Sequence, residues 1–364
     1  MPSLTTLLDI LRIVAALAVF LGHTNFIWFF GTSSIGPQNG QDYVVIFFVL
    51  SGFVIAWSTD LKKNLSFNQY VFDRLTRLWS VALPALAIGF CLDHFGSKIN
   101  QQNYETIIST SHIESKFAIS AFFLHESWFY SIRPGSNGPF WSLSYEFFYY
   151  LLFGSIVLLP TTTKKIIGTV IATLVAGPKV LLLFPCWIIG VLAYHLCRFK
   201  FRRSNIYLST ALTVTSGWYL FVTLKDRWSN WNPWDIPGLG LPPLFYSAKF
   251  LDDYLIAVAL AAFIVGLSYW LTLEKKKEGP VSATIRHIAG CSFSLYAIHF
   301  PVMAFIGSMA ASSLLEYLDI IGAILLVTGF CYLFSFIFER PLKFYRSCFL
   351  SFFPQFAKRC GIRS

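Results

Sequence analysis

Residues 11–23 read LRIVAALAVFLGH, an apolar stretch that contains one arginine and one histidine. Arg12 and His23 are eleven residues apart. That spacing is close to three turns of an α-helix, so both side chains project from one face, about 16 Å apart along the axis. An arginine inside a membrane-spanning helix is costly and usually faces a polar interior. If this helix crosses a bilayer, the pair predicts a polar cavity deep in the membrane and marks a functional site.

The composition of the whole chain supports a membrane-spanning fold. Of the 364 residues, 55% are hydrophobic and 13% are charged, whereas a soluble globular protein carries about 25% charged residues. A spanning helix needs about 20 mostly apolar residues. About ten such segments are predicted, at 4–28, 42–60, 76–94, 140–159, 165–178, 181–197, 206–224, 251–273, 287–311 and 319–340. The sequence therefore predicts an all-α polytopic membrane protein, with one transmembrane domain over 1–345 and a basic cytoplasmic tail over 346–364.

Positive charge is concentrated in alternate loops between these segments. The chain has a formal net charge of +10. The loops on one side contain Lys62, Lys63, Arg74, Lys164, Lys165, Arg198, Lys200, Arg202, Arg203, Lys275, Lys276 and Lys277. By the positive-inside rule, this side and both termini are cytoplasmic. We interpret the basic loops as topology signals that contact anionic lipid. Because the charge is scattered over short loops, no nucleic-acid partner is expected.

The apolar segment at residues 117–128 is too short for a standard span. Counting it as a span would place the basic loops between Lys164 and Lys277 outside the cell. The segment is therefore predicted to be re-entrant or interfacial on the outer side. Two longer loops, 95–139 and 225–250, are predicted on the same side. The second carries Trp228, Trp231 and Trp234, which suit either an interfacial belt or a platform for stacking sugars.

Several short motifs depart from ordinary membrane-spanning sequence. Asp9 precedes Arg12 by three residues, and Arg74 and Arg77 have the i, i+3 spacing of one helix face. The other motifs are FFVLSGF at 47–53, WSLSYE at 141–146, YAIHFPV at 296–302 and FERP at 338–341. These stretches place polar and charged side chains in or next to predicted spans, where such residues usually serve function.

The stretches FFVLSGF, WSLSYE and YAIHFPV resemble, in order and spacing, signatures of the membrane acyltransferase family 3, whose members O-acylate carbohydrates. The resemblance extends from about Leu8 to Tyr345. Arg12 and His23 match the family's R-x10-H motif, and Arg74 and Arg77 match its RxxR motif. It implies transfer of an acetyl group from acetyl-CoA to a sugar hydroxyl on the outer side of a bacterial inner membrane. It also implies the stand-alone branch, which has no extracytoplasmic esterase-like domain.

Acyl transfer to a hydroxyl needs a base that works near neutral pH, and histidine suits this role. Because the predicted topology puts His23 toward the outer half of the first helix, His23 is predicted to be the general base. A core histidine bonded to a backbone carbonyl and a covalent acyl-histidine are the alternatives. Arg12 lies deeper and is predicted to bind CoA or stabilise the thioester oxygen. Its alternative is an ion pair with Asp9 or Glu146.

The remaining candidate residues are assigned around this pair. CoA carries several phosphates, which arginine forks suit, so Arg74 and Arg77 are predicted to bind the donor; anchoring at the cytoplasmic surface is the alternative. Glu146 is predicted to orient His23 or bind the acceptor, unless it only complements the helix dipole. The residues predicted to line the substrate pocket are Asp9, Trp141, Ser144 and His299. Glu339 and Arg340 are predicted to form a structural pair.

The predicted substrates are acyl-CoA as donor and a carbohydrate as acceptor. The protein is expected to lie in the lipid bilayer, and no metal or permanently bound cofactor is expected. The seven cysteines show no metal-ligand spacing, and most of them fall in predicted spans and are interpreted as small core residues. A donor such as succinyl-CoA, or a macrolide or lipid acceptor, would keep the enzyme class. The main alternative is a transporter or flippase, since intramembrane charge and proline-interrupted helices suit one too. It is less expected, because the two halves lack a matched pair of interrupted helices.

Overall fold

The computed structural model describes residues 3–24, 36–37, 39–62, 64–105, 108, 112–199, 205–225, 242–271, 279–311, 320–352, 354–355, 358 and 361–362. These residues form helices and turns, with no β-strand among them. Seven of the helices in these ranges are long and apolar enough to cross a membrane. The predicted all-α polytopic membrane fold is confirmed. Trp228, Trp231, Trp234 and the basic residues 275–277 lie outside the described ranges.

The helices are numbered in chain order. They are α1 (Leu4–His23), α2 (Gly40–Leu61), α3 (Phe67–Ile99), α4 (Gln101–Glu105), α5 (Ile113–Ala121), α6 (Trp141–Leu158), α7 (Thr162–Ala176), α8 (Pro178–Phe199), α9 (Ile206–Lys225), α10 (Phe250–Leu267), α11 (Pro280–Ala289), α12 (Ser292–Ala311), α13 (Ile320–Phe334) and α14 (Leu342–Phe352). A π-helical turn, Ser335–Glu339, continues α13. Each of the ten predicted spans overlaps one of these helices.

The largest difference from the predicted spans concerns α3. Its 33 residues extend about 50 Å, well beyond the predicted segment at 76–94. The helix begins after Ser66, whose hydroxyl accepts a hydrogen bond from the Gln69 backbone N–H at 3.2 Å, as an N-cap residue does. Arg74 and Arg77 were expected at the opening of this helix, but they lie inside it, in its second and third turns.

The chain divides into two compact units, which are described separately. The first contains Met1–Gly22, Pro37–Lys63 and Pro178–Ala289. Within it α2 packs against α8, and both pack against α10. The α2–α8 contact depends on glycine, because a Cβ at Gly52 would collide with the Trp187 carbonyl and a Cβ at Gly190 with the Val49 carbonyl. Small residues of this kind let membrane helices approach closely.

Gly190→Ala is expected to lower the free energy of unfolding by about 3 kcal/mol, because the added methyl group must push the backbones of α2 and α8 apart. Gly329→Ala is the matched control. Gly329 also lies in an apolar helix, but a Cβ there would meet nothing within 4 Å, and alanine favours helix. Unfolding in detergent should separate the two variants; equal stability would contradict the close contact.

The second unit contains His23–Gly36, Asn64–Gly177 and Gly290–Ser364, with α3 packed against α6 and α12. The guanidinium of Arg77 lies over the Phe293 ring at 6.0 Å, and Gly89, further along α3, faces Pro301. Helix α12 therefore runs parallel to α3. Helix α14 also packs on α3, through an ion pair of 3.3 Å between Arg346 and Asp73. The expected boundary between residues 345 and 346 thus falls inside α14.

Residues 113–136 form a re-entrant segment beside α3. The nine residues of α5 extend about 14 Å, too short to cross a bilayer. The Trp79 indole N–H donates to the Ala121 carbonyl at 2.9 Å, whereas the Ser136 N–H donates to the Asp93 carboxylate at 2.8 Å. Trp79 and Asp93 are about 21 Å apart along α3. The Phe117 ring lies 5.8 Å from that of Phe90, so the chain runs along α3 from residue 117 to 121 and returns by residue 136, which agrees with the non-spanning segment predicted at 117–128.

Candidate functional site

The ring of His23, at the end of α1, contacts a second histidine. His23 Nδ1 lies 3.0 Å from His299 Nε2 on α12, and His299 is fully buried. Nδ1 of His299 lies 2.8 Å from the Leu295 carbonyl oxygen and 3.0 Å from that of Tyr296. The edge of the Phe300 ring closes one side, with its centroid 5.2 Å from that of His23. Both nitrogens of His299 are thus engaged.

These contacts determine where the ring protons lie. Carbonyl oxygens only accept hydrogen bonds, so Nδ1 of His299 carries the hydrogen and its Nε2 carries a lone pair. That lone pair accepts from Nδ1–H of His23. A neutral His23 then has its own lone pair on Nε2, the nitrogen directed away from His299. Nε2 is then the ring nitrogen of a neutral His23 that can act as an acceptor.

A proline beside this pair explains a second set of contacts. In a regular helix the N–H of residue 301 would donate to the Ala297 carbonyl, but Pro301 has no N–H. The side-chain amide of Asn137 donates to that carbonyl instead, at 2.8 Å. The Tyr296 hydroxyl donates to the Pro139 carbonyl at 2.7 Å. The loop before α6 is thereby fixed to the turn of α12 that carries His299.

Asn137→Ala is expected to destabilise the protein by about 1–3 kcal/mol, because it leaves the buried Ala297 carbonyl without this donor. The same substitution should cost clearly less in a Pro301→Ala background, where residue 301 regains its N–H. A double-mutant cycle measured by unfolding in detergent reads this coupling directly. Equal costs of Asn137→Ala in both backgrounds would show that the amide does not replace the missing helical donor.

Arg77 contacts a buried carboxylate, Glu339, at the start of α12. Its guanidinium lies 3.4 Å from Glu339 Oε1. Glu339 Oε2 accepts from the backbone N–H of Ser294 at 2.9 Å and from its hydroxyl at 2.7 Å. The carboxylate thus caps the N-terminus of α12, where negative charge is favourable. Glu339 was predicted to pair with Arg340, whereas the structure shows it bound to Arg77 and Ser294, and the Arg340 guanidinium donates to Cys291 Sγ at 2.9 Å.

Arg74 and Glu146 lie on facing helices close to Tyr70. The Arg74 guanidinium lies 5.6 Å from the centre of the Tyr70 ring, and the Tyr70 hydroxyl interacts electrostatically with both Arg74 and Glu146. The Tyr150 hydroxyl donates to Glu146 one turn further along α6. The structure therefore places Glu146 beside the arginine-bearing turns of α3. Its predicted action on His23 stays a prediction.

Arg12 and Asp9 form an ion pair of 3.6 Å on α1, and their side chains are 28% and 19% exposed. This contact matches one of the alternatives for Arg12, whereas the predicted donor-binding role is untested. Arg12 and His23 do lie on one continuous helix, so the predicted spacing of three turns holds. Asp9 is engaged with Arg12, and its place in the substrate pocket remains a prediction.

Two residues of the WSLSYE motif are buried at the start of α6. The Trp141 ring packs edge-on against Tyr145, with centroids 5.0 Å apart. The fully buried Ser144 donates to the Phe123 carbonyl at 2.6 Å, and so holds the tip of the re-entrant segment. That bond gives Ser144 a structural role, and the pocket assignment of both residues is untested.

The described part of the chain has no group of three or more His, Cys, Asp and Glu side chains that could hold a metal ion. Six cysteines in it form no disulfide. Sequence reasoning missed Asn137 and Tyr296, which fix the loop to α12. Asn137 lies in the RPGSNGP stretch at 133–139, at the end of the predicted outer loop 95–139. Pro301, two residues after His299, was the available signal, since its missing N–H requires an outside donor.

Similarity to known proteins assigns the chain to a family. A family model described as an acyltransferase domain matches residues 6–340. The chain belongs to the acyltransferase family 3. It is also similar to the acyltransferase MdmB of Streptomyces mycarofaciens, with 24% identity over 345 residues that cover 84% of this chain and 79% of that protein. No solved structure matches the chain. All candidate residues of this acyltransferase lie inside the family match.

Proposed function

We propose that this membrane acyltransferase moves an acetyl or related acyl group from acyl-CoA on the cytoplasmic side to a hydroxyl of a cell-surface or secreted glycan on the outer side. The observation that carries the proposal is the His23–His299 contact of 3.0 Å. It leaves a lone pair on Nε2 of His23, which suits a base that takes a proton from a hydroxyl. The bacterial inner membrane is the proposed location.

The donor is proposed to bind through Arg74 and Arg77. Both guanidinium groups lie in the first turns of α3, the end that the positive-inside pattern assigns to the cytoplasm. Arg77 is 42% exposed, so its planar fork is accessible to a phosphate. Arg77 contacts Phe293 on α12, and His299 is six residues further along that helix. The turn of α12 that contacts Arg77 and the turn that contacts the proposed base, His23, are thus about 9 Å apart along the helix axis.

The reaction is proposed to proceed by direct transfer. His23 Nε2 takes the proton of the acceptor hydroxyl while the oxygen forms a bond to the thioester carbon. The carbon–sulfur bond then breaks, and the CoA thiolate takes up a proton from His23. Arg12 is proposed to contact the donor and stabilise negative charge on the thioester oxygen, and Glu146 to help orient the reactants. These reaction steps need no metal and no redox cofactor.

A sided transfer assay tests the proposal. The protein is reconstituted in vesicles with labelled acetyl-CoA either inside or outside, and a panel of glycans in the opposite compartment. For protein of one orientation, we expect label to reach a glycan only in the arm in which acetyl-CoA meets the basic, cytoplasmic face and the glycan meets the outer face. Arg74→Ala with Arg77→Ala should raise the KM for acetyl-CoA more than they lower kcat. Glycan movement across the membrane without acyl transfer would instead identify a transporter.

A further inference from the structure

The second histidine of the site has a more specific geometry than a pocket residue needs. His299 is fully buried, and its Nδ1 is held by the carbonyl oxygens of Leu295 and Tyr296 on its own helix. Its Nε2 is directed at His23. Each heavy-atom distance, between 2.8 and 3.0 Å, lies in the normal range for a hydrogen bond. The ring therefore presents an acceptor, in one orientation, to the proposed base.

We propose that His299 is a positioning residue that fixes the tautomer and the ring orientation of His23, an inference that rests on His23 being the base of the proposed function. A neutral imidazole exists as two tautomers, and the hydrogen bond made by one nitrogen sets which is present. With His299 as acceptor, the hydrogen of His23 lies on Nδ1. The other tautomer would present an N–H to the acceptor hydroxyl and could not take its proton.

This arrangement determines which atoms carry each proton during acyl transfer. The acceptor hydroxyl loses its proton to His23 Nε2, and the same proton then goes to the CoA thiolate when the carbon–sulfur bond breaks. The hydrogen on His23 Nδ1 stays in its bond to His299 throughout. His299 therefore contributes orientation without being consumed or changed. Because it is a neutral partner, it adds no negative charge to the buried site, where an unpaired charge is costly.

The surroundings of His299 hold it in place. Pro301 has no backbone N–H to donate to the Ala297 carbonyl within α12. The side-chain amide of Asn137 donates to that carbonyl instead. The carbonyl oxygen of Tyr296 contacts Nδ1 of His299. Tyr296 is itself fixed, because its hydroxyl donates a hydrogen bond to the Pro139 carbonyl. A residue that positions a catalytic group must have its own rotamer locked by packing and hydrogen bonds. The turn from Leu295 to Pro301 meets that requirement.

Two substitutions separate a positioning role from a merely structural one. His299→Leu removes the acceptor, whereas His299→Gln offers a side-chain carbonyl oxygen near the position of Nε2. We expect His299→Leu to lower kcat about 100-fold with the KM for acetyl-CoA changed less than about twofold. His299→Gln should recover activity to within about tenfold of wild type. His287→Leu, at an exposed histidine of α11, is the control and should leave both constants unchanged.

Equal activity of the Leu and Gln variants would overturn the inference. A second measurement stays informative if a variant fails to fold or if no acyl transfer is found. Nitrogen-15 magnetic resonance of histidine-labelled wild-type protein reports which ring nitrogen of His23 carries the hydrogen. We expect hydrogen on Nδ1 and none on Nε2. Hydrogen on Nε2 of the neutral ring would overturn the positioning role whether or not the protein transfers acyl groups, whereas absent turnover alone would contradict only the proposed function.

Discussion

Replacement of His23 by alanine is expected to lower acetyl transfer about 1000-fold or more, because the substitution removes the only proton acceptor assigned to the reaction. Base catalysis of this kind contributes about 100- to 10,000-fold to a rate. The loss should fall on kcat, since donor binding is assigned to Arg74 and Arg77 and not to the imidazole. The measurement is release of CoA from acetyl-CoA by purified protein in nanodiscs, with and without candidate glycans.

The control for His23→Ala is His94→Ala. His94 is an exposed histidine in the C-terminal part of α3, and its loss should leave kcat unchanged. Both variants must show the elution profile and thermal stability of the wild type before their rates are compared. Acceptor-dependent turnover of His23→Ala within about tenfold of wild type would remove His23 as the base, although it would leave the acyltransferase assignment intact.

Glu339→Ala is expected to destabilise the protein by about 2–4 kcal/mol. The carboxylate is almost fully buried and accepts two hydrogen bonds from Ser294 at the N-terminus of α12, and hydrogen bonds to charged groups contribute about 1.5–3 kcal/mol each. Its loss also leaves Arg77 without the counter-charge of Glu339. Because α12 carries His299, we expect transfer activity to fall together with stability. Unfolding of the variant in detergent measures the first effect.

Comparison with Ser294→Ala separates the contributions of the two Ser294 hydrogen bonds to the loss of stability in Glu339→Ala. That variant loses only the hydroxyl bond to Glu339, and the backbone bond remains, so its cost should be about 1.5 kcal/mol, the lower end of the range for a hydrogen bond to a charged group. Glu339→Gln keeps the size and one acceptor oxygen, and should lie between the two. If Glu339→Ala were as stable as Ser294→Ala, the carboxylate would not cap α12 in the way the distances indicate.

The helical content of the fold was predictable because long apolar runs in this sequence have few alternatives. Each predicted span overlaps a helix, and the short run at 117–128 was recognised as non-spanning by its length. The ends of the helices were less predictable. The sequence contains no glycine or proline between Ser66 and Arg77 to separate a cytoplasmic loop from a span, so α3 continues unbroken into the region assigned to the loop.

The site was predictable only where its residues lie close together in sequence. The spacing of Arg12 and His23 needs no tertiary information, and it holds in α1. The contact of His23 with His299 joins residues 276 positions apart, and that of Arg77 with Glu339 joins residues 262 positions apart. The periodicity of apolar residues along the sequence carries no information on contacts between residues so far apart in the chain. This is why Glu339 was paired with its neighbour Arg340, and why the tautomer of His23 could be derived only from the structure.

The central claim, acyl transfer from CoA with His23 as base, is tested most directly by one titration. Purified wild-type protein in nanodiscs is given acetyl-CoA and increasing amounts of each candidate glycan, and CoA release is followed beside His23→Ala. The account predicts glycan-stimulated release that saturates in wild type and is lost in the variant, while acetyl-CoA binding is retained by both. Absence of binding to any acyl-CoA would contradict the account and favour a transporter.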